Sequence, residues 1–194
     1  MNKGRLEAFS DGVLAIIITI MVLELKVPHE TDFNALKQLL PIFLSYVLSF
    51  VYIGIYWNNH HHLLHTVRAV SGGVLWANLH LLFWLSLVPF ATGWMGENNF
   101  AAAPMALYGM VLLFSALAYY ILQSMILKRH GKDSRLAKAI GKDLKGKLSI
   151  ILNLIAVPSA FLSQLIAGGI YVFAALMWLV PDKRIEKTLW NKEE

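Results

Sequence analysis

Charged residues are absent from five long windows of this 194-residue chain, and that distribution constrains the fold more than any other feature. No Asp, Glu, Lys or Arg occurs in residues 12–23, 38–67, 69–96, 98–127 and 148–181. A helix crosses a bilayer with about 20 apolar residues, so four of these windows are long enough to do so. Only 15% of the residues are charged, against about 25% in ordinary soluble domains. The pattern predicts an all-α integral membrane protein.

The composition also argues against several functional classes. The chain contains no cysteine, which disfavours a secreted disulfide scaffold. Its apolar character disfavours a soluble enzyme or a DNA-binding domain, and the net charge of +5 therefore needs another explanation than nucleic acid. No trio of nucleophile, base and orienting residue is evident. We predict neither an enzyme nor a cofactor or a nucleic-acid partner.

The first helix is predicted over about residues 5–26, because apolar residues extend the first window at both ends. Pro28 stops this helix. A signal peptide is the alternative, since Lys3 and Arg5 precede the apolar stretch. However, two acidic residues interrupt that stretch and no small-x-small cleavage site follows it, so we predict a mature transmembrane helix.

The remaining windows predict further helices in one transmembrane domain over residues 1–194. The last window holds two short crossings with a turn near residues 159–163 between them. A basic loop over residues 128–147 precedes them, and its leucine and isoleucine spacing indicates an amphipathic helix. The further helices are expected at about residues 41–65, 73–94, 101–127, 144–161 and 163–180.

The distribution of basic residues predicts the orientation. With six crossings and a cytoplasmic amino terminus, fifteen of the seventeen basic residues lie inside, and only Lys26 and Lys37 lie outside. Five crossings would place the basic tail outside, against the positive-inside bias. We therefore expect six crossings, both termini in the cytoplasm of a cell (inner) membrane, and anionic lipid against the cationic inner face.

Two features of the first helix stand out. Asp11 lies just before twelve uncharged residues, where it needs a partner or water, and Arg5 is near enough to be considered as that partner. Further along, an apolar stripe with one hydroxyl occupies a single helical face. By periodicity alone this face is lipid-facing or packing surface, and pore lining is the less favoured interpretation. The stripe consists of Ile16, Thr19, Ile20 and Leu23.

Polar residues also cluster in the second and third helices, where unpaired polar groups are costly in lipid. Structural hydrogen bonding between helices, with Ser10 of the first helix included, is the favoured interpretation. Proton sensing by His60, His61 or His80 is an alternative. A metal site at His61 and His65, with His62 adjacent, is a weaker one because no companion ligand is nearby, and none is predicted. The cluster comprises Trp57, Asn58, Asn59, His60, His61, Asn78 and His80.

The start of the first helix, Arg5-x-x-x-Phe9-Ser10-Asp11, resembles the signature of the endosomal and lysosomal potassium channel family in its short bacterial form. Other segments are similar to later family patterns in the same order, so the resemblance extends from Arg5 to Arg184. These segments are Tyr56-Trp57-x-Asn59-His60-His61, Asn78 to Thr92 with Leu87-Val88-Pro89-Phe90, and Trp178-x-x-Pro181-Asp182-x-Arg184.

The resemblance implies a potassium-selective channel that assembles as a homotetramer of six-helix subunits, with potassium as the permeant ion. The first helix of each subunit would line the central pore, and no reentrant filter loop would be present. Carried over by position, the gate falls on Ile16, with Ile20 and Leu23 as further rings and Thr19 as their polar neighbour. Asp11 would attract cations at the inner mouth, and Arg5 would anchor it.

The physical hypothesis is that four copies of the apolar stripe form a constriction that dewets when closed and strips part of an ion's hydration when open. Selectivity for potassium over sodium would then be weak, because no carbonyl cage is present. Two rival functions remain. One is a proton-coupled secondary transporter using Asp11 and buried histidines, although no internal repeat supports it. The other is a membrane scaffold or enzyme subunit without a pore.

Overall fold

The computed structural model describes residues 3–67, 70–130 and 143–179, and the regular elements in these ranges are all helical. The helices α1 to α8 are, in chain order, Lys3–Met21, Phe33–Gln38, Leu40–His65, Gly72–Ser86, Val88–Glu97, Ala102–His130, Leu144–Leu162 and Gln164–Leu179. A short 3₁₀ turn over Val22–Glu24 prolongs α1.

The long helices alternate in direction through the bundle. Lys3 at the start of α1 donates a hydrogen bond to the carbonyl oxygen of His65 at the end of α3, 2.9 Å away. At the opposite end, Lys26 forms an ion pair with Glu97 at the end of α5, with Nζ and Oε1 3.0 Å apart. We call the end where α1 begins the basal end and the other the apical end. Within the described ranges, five spans are long and apolar enough to cross a membrane, and Gln164–Leu179 is a shorter apolar helix.

The third predicted helix is divided in the structure. One continuous helix was expected over residues 73–94, whereas α4 ends at Ser86 and α5 begins at Val88. Pro89, at the start of α5, has no N–H to donate to the preceding turn, so the helical hydrogen-bond ladder is interrupted there. Both halves nevertheless contact α1 and α6 and together form the span Gly72–Glu97.

A short helix that the sequence analysis missed lies at the apical end. No helix was expected between the first predicted helix, which ends at about residue 26, and the second, which begins at about residue 41. The structure places α2 directly after Asp32, whose Oδ1 accepts hydrogen bonds from the backbone N–H groups of Asn34 and Ala35 at 2.9 and 3.1 Å. This side chain is a typical helix N-cap. A six-residue helix is too short for hydropathy windows to detect.

The last two helices meet at Ser163, between Leu162 and Gln164, while Pro158 lies inside α7. Much of the expected basic loop falls outside the described residues, including Leu136 and Ile140 of its amphipathic pattern. The closing motif beyond Trp178 and the basic residue Arg68, which was counted on the inner side, lie outside them too.

The core of the described residues is built mainly from apolar side chains, with a few buried polar groups among them. Ser49 Oγ lies 2.7 Å from Thr92 Oγ1 and donates to Tyr108 Oη at 3.1 Å, so that α3, α5 and α6 are joined. Gly96 lets α5 approach α3 closely, because a Cβ there would lie 2.8 Å from the Cα of Ile42. Tight packing around small residues is common between membrane helices.

Candidate pore-lining face and the polar cluster behind it

Helix α1 has two distinct faces. Five of its side chains, at helical spacing, are buried against α3, α4 and α5. The opposite face is exposed along the length of the helix. This division follows from the helical period, since residues three or four apart lie on the same side. The buried residues are Leu6, Ser10, Leu14, Ile17 and Met21.

The proposed gate residues all lie on the exposed face. Ile16 is 58% exposed, Ile20 45% and Leu23 74% in the single subunit. Thr19 lies beside them, and its hydroxyl donates a hydrogen bond to the carbonyl oxygen of Ile16 at 2.9 Å. Because this hydroxyl is engaged with its own helix, the exposed face remains essentially apolar at this level. No residue in the described ranges covers the stripe.

A chain of buried polar groups holds the opposite face of α1. His60 Nε2 on α3 lies 2.6 Å from Asn78 Oδ1 on α4, and Asn78 Nδ2 donates to Ser10 Oγ at 3.0 Å. Ser10 in turn donates to the carbonyl oxygen of Leu6 at 2.9 Å. Since Asn78 Oδ1 can only accept, His60 carries its proton on Nε2 in this arrangement. These hydrogen bonds therefore fix the rotation of α1, α3 and α4 relative to one another.

Asp11 has a different partner from the one expected. Its Oδ1 accepts a hydrogen bond from Trp57 Nε1 on α3 at 3.0 Å. No ion pair between Arg5 and Asp11 occurs in the described part of the chain, so the expected anchoring by Arg5 is wrong for this structure. The two residues are six positions apart, which places them on different sides of the helix. Both side chains, like that of Phe9, are exposed in the subunit.

The remaining residues of the expected network do not join it. Asn58, His61 and His80 are exposed, because each is rotated away from the buried face that carries His60 and Asn78. His80 Nε2 accepts from Trp84 Nε1 at 2.9 Å, within α4. Asn59 Nδ2 donates to the carbonyl oxygen of Ile55 at 2.8 Å, within α3. The interhelical part of the cluster thus consists of Ser10, Asp11, Trp57, His60 and Asn78.

The histidines at the basal end of α3 form a group of rings. The His61 ring centroid lies 5.7 Å from that of His62 and 6.3 Å from that of His65, and Trp57 stacks on His61 at 6.1 Å. A search of residues 3–67, 70–130 and 143–179 finds no group of three or more His, Cys, Asp or Glu side chains placed to hold a metal ion. The rings pack on one another at an exposed helix end.

The apolar spans and the large apolar side chains on the outer surface define an all-α membrane protein. Residues 5–89 match the family model of the endosomal/lysosomal potassium channel TMEM175. A potassium channel of Chryseobacterium sp. (strain P1-3) is 57% identical over 189 residues, covering 97% of this chain and 98% of that protein. The chain therefore belongs to the TMEM175 family, which consists of ion channels and not of enzymes.

Two further relatives show how far the similarity extends. The crystal structure of a lysosomal potassium-selective channel TMEM175 homolog from Chamaesiphon minutus matches with a TM-score of 0.80 at 29% identity, covering 93% of this chain and 97% of that one. The human endosomal/lysosomal proton channel TMEM175 is 38% identical over 96 residues, which are 43% of this chain but only 19% of that protein. The family resemblance inferred from the sequence motifs is confirmed.

Proposed function

We propose that the chain forms a weakly selective potassium channel, a homotetramer of six-crossing subunits whose α1 helices line a central pore. A relative that this chain covers almost end to end is named a potassium channel. The matching solved structure is described as potassium-selective. The positive-inside bias supports cytoplasmic termini, with the basal end facing the cytoplasm and anionic lipid.

The exposed stripe on α1 is the observation that carries this proposal. One subunit cannot enclose a pore with a single stripe, so a symmetric assembly is required. The hydrogen bonds of Ser10, Asn78 and His60 fix the opposite face of α1 inside the subunit. The stripe is thereby directed away from the subunit, where four copies could meet on one axis.

The stripe would act as gate and filter without a carbonyl cage. Rings of Ile16, Ile20 and Leu23 offer no oxygen to replace a hydration shell, so the closed constriction excludes water as well as ions. When the rings separate, a weakly hydrated cation loses part of its shell at lower cost than a strongly hydrated one. Potassium then passes more readily than sodium, and the discrimination is modest.

Asp11 contributes the charge at the basal mouth of the pore. Its carboxylate is exposed, and the hydrogen bond from Trp57 holds one of its oxygens. A fixed negative charge at a pore entrance raises the local concentration of cations. Arg5 is also exposed and lies about 1.7 turns earlier on α1, where it contributes to the mouth without pairing with Asp11.

Proton translocation is the second candidate, favoured by the name of the human relative and by the buried His60. A relay needs titratable groups in sequence. Here Ser10 and Asn78 separate His60 from Asp11, and the ring nitrogen that faces Asn78 is engaged. A proton-coupled transporter using Asp11 and the histidines is therefore the less supported alternative, since His61 and His80 lie outside the cluster.

Purified protein in liposomes with an outward potassium gradient tests the proposal. Ile16→Asn should raise potassium flux several-fold and reduce potassium over sodium selectivity, because the polar amide keeps the constriction wet. Ile151→Asn on α7 is the matched control, since Ile151 is similarly exposed at 52%. Equal flux in both variants would refute pore lining by α1. Flux that requires a proton gradient would instead support the transporter.

A further inference from the structure

A cavity of about 40 Å³ lies between α3, α6, α7 and α8, away from the proposed pore helix. A cavity needs about 10–15 Å³ by this measure to hold one water, so this one accommodates about three water-sized groups. Its walls are mainly aromatic, and Asp143 supplies the one charged side chain that lines it in the described part of the chain. The aromatic residues are Tyr52, Tyr56, Tyr119, Tyr120 and Trp178.

Most hydrogen-bond donors in the wall are already engaged. Tyr52 Oη donates to the carbonyl oxygen of Tyr171 at 2.7 Å, and Tyr119 Oη donates to that of Asn59 at 3.2 Å. Trp178 Nε1 donates to Ser149 Oγ at 2.7 Å, and Ser149 donates to the carbonyl oxygen of Lys145. Among the described residues, the hydroxyls of Tyr56 and Tyr120 and the amide nitrogen of Asn153 remain as donors, but the Asp143 carboxylate makes the wall poorly suited to an anion.

The wall keeps acceptors instead. Asn153 is only 3% exposed, and its Oδ1 is the buried side-chain atom that lacks a hydrogen-bond partner among the described residues. A buried acceptor without a partner costs about 1–3 kcal/mol, so a donor bound in the cavity would supply what is missing. Asp143 is a second acceptor, with one oxygen receiving the N–H of Gly146 at 3.1 Å.

The local backbone is shaped to hold the carboxylate at this place. Asp143 has a left-handed conformation with φ of 42°, and its side chain caps α7. A Cβ on Gly146 would collide with the Asp143 carboxylate, so glycine at this position leaves it room. Beside the cavity, Lys145 Nζ lies 5.9 Å from the centre of the Trp178 ring, a cation–π distance.

We propose that this cavity binds a primary ammonium group, with Asp143 and Asn153 as acceptors and the aromatic rings as walls. Carboxylate, amide oxygen and aromatic faces together suit an ammonium ion carrying a short alkyl stem. Two sources share this chemistry, a free alkylamine and the headgroup of phosphatidylethanolamine. Binding would tie α7 and α8 to α3 and α6 at the basal end, and it does not depend on the proposed pore.

Thermal unfolding of the purified full-length channel in detergent tests the free amine. Ethylammonium chloride should raise Tm by about 3–6 °C at ten times its dissociation constant, while sodium and potassium chloride at equal ionic strength should not. Asp143→Asn should abolish this shift and still cap α7. Asp32→Asn, which alters the cap of α2 far from the cavity, is the matched control and should keep the shift.

Asn153→Leu provides a second variant if Asp143→Asn does not fold. It removes the unpartnered oxygen at similar size, so the Tm measured without ethylammonium should be kept or raised. The increase in Tm that ethylammonium causes should become smaller. Native mass spectrometry on protein from vesicles of equal phosphatidylethanolamine and phosphatidylcholine tests the lipid source. If the protein retains phosphatidylethanolamine and Asp143→Asn abolishes this retention, the occupant is the lipid headgroup. If ethylammonium raises Tm but no phosphatidylethanolamine is retained, the occupant is a free amine.

Three results would overturn the assignment. The first is the absence of both an ethylammonium shift and lipid enrichment, which would mean that the cavity holds water or the chain's own side chains. The second is an equal shift with potassium, since that ion has no N–H to donate. The third is an ethylammonium-induced increase in Tm, or a retention of phosphatidylethanolamine, that neither Asp143→Asn nor Asn153→Leu reduces.

Discussion

Helix α1 and the α7–α8 hairpin both present apolar side chains to the outside of the subunit, but different polar contacts hold them from behind. Side chain–side chain hydrogen bonds hold α1, whereas tyrosine hydroxyls that donate to backbone carbonyl oxygens hold α8. Leu154, Phe161 and Leu165 on the hairpin are as exposed as Ile16, or more so. Exposure in one subunit therefore does not distinguish a pore surface from a lipid surface. Both surfaces are apolar, and neither is covered by the residues that the structure describes.

The difference lies in what fixes each surface. Ser10 and Asp11 on α1 are hydrogen-bonded to α4 and α3, which sets the rotation of α1. The small residues Gly12 and Ala15, which precede the stripe, are also exposed on α1. The outward surface of the hairpin is formed by large side chains. A pore surface needs a defined rotation in every subunit, whereas a lipid surface does not.

The largest effect should come from breaking what holds α1. Asn78→Leu removes the hydrogen bonds to Ser10 and His60. Ser10 keeps its bond to the carbonyl oxygen of Leu6, but His60 Nε2 is left buried without this partner, at a cost of about 1–3 kcal/mol. We expect a strong loss of assembled channel in size-exclusion chromatography after a temperature ramp. Asn58→Leu, on an exposed site, should change stability by less than about 0.5 kcal/mol. If both variants survive heating equally, the cluster does not hold α1.

Single cysteines can distinguish the two surfaces directly, because the chain has none of its own. Leu23→Cys should react with a charged, water-soluble thiol reagent, and the reaction should block most of the potassium flux. Leu165→Cys, on the hairpin, should react slowly and leave flux unchanged, since lipid excludes the reagent. If the reagent blocks potassium flux in Leu165→Cys but not in Leu23→Cys, the hairpin rather than α1 lines the pore.

The long helices could be predicted from the sequence, because a bilayer demands uncharged windows of a minimum length. The division of the third predicted helix before Val88 was missed although the sequence contains Pro89, because hydropathy does not detect a lost backbone hydrogen bond. Helix α2 was missed because a single capping residue, Asp32, defines its start. Such local features depend on backbone conformation, which a window average does not contain.

The candidate site could be predicted in part. Helical spacing placed Ile16, Ile20 and Leu23 on one face, and the exposed position of that face agrees with it. Spacing could not show that Asp11 bonds to Trp57, because the contact depends on how α3 crosses α1. His61 was grouped with His60 because the two residues are adjacent in the sequence. Successive residues of a helix are rotated by about 100°, however, so the two side chains point in different directions.

The charge of Asp11 and its hydrogen bond can be separated in a smaller experiment. Asp11→Asn removes the charge but keeps an oxygen for Trp57, so the channel should assemble normally and conduct less potassium. The loss should be a few-fold at low ionic strength and shrink as salt screens the mouth. Trp57→Phe keeps the charge and removes the bond, and it should lower stability more than flux. A salt-independent loss in Asp11→Asn would contradict attraction by charge.

The smallest effect is expected at the apical end, at the ion pair of Lys26 and Glu97. This pair belongs to neither of the two apolar surfaces, so its variants give a reference value for the stability changes. The hydrogen bond from Lys26 to Glu97, together with the negative charge of Glu97, raises the pKa of Lys26 above its ordinary value. A raised pKa in the folded state means that the contribution to stability is complete at neutral pH. It is lost only as the pH rises through that raised pKa, above the ordinary value of about 10.4.

Because Lys26 is fully exposed, water screens this pair, and Lys26→Gln should lower Tm by no more than about 2 °C at pH 7. The difference from the unmodified protein should vanish in high salt and at strongly alkaline pH. Glu97→Gln should behave in the same way, and the double variant should lose no more than either single one. A drop as large as that of Asn78→Leu would show that α1 is held from its apical end rather than by the buried cluster.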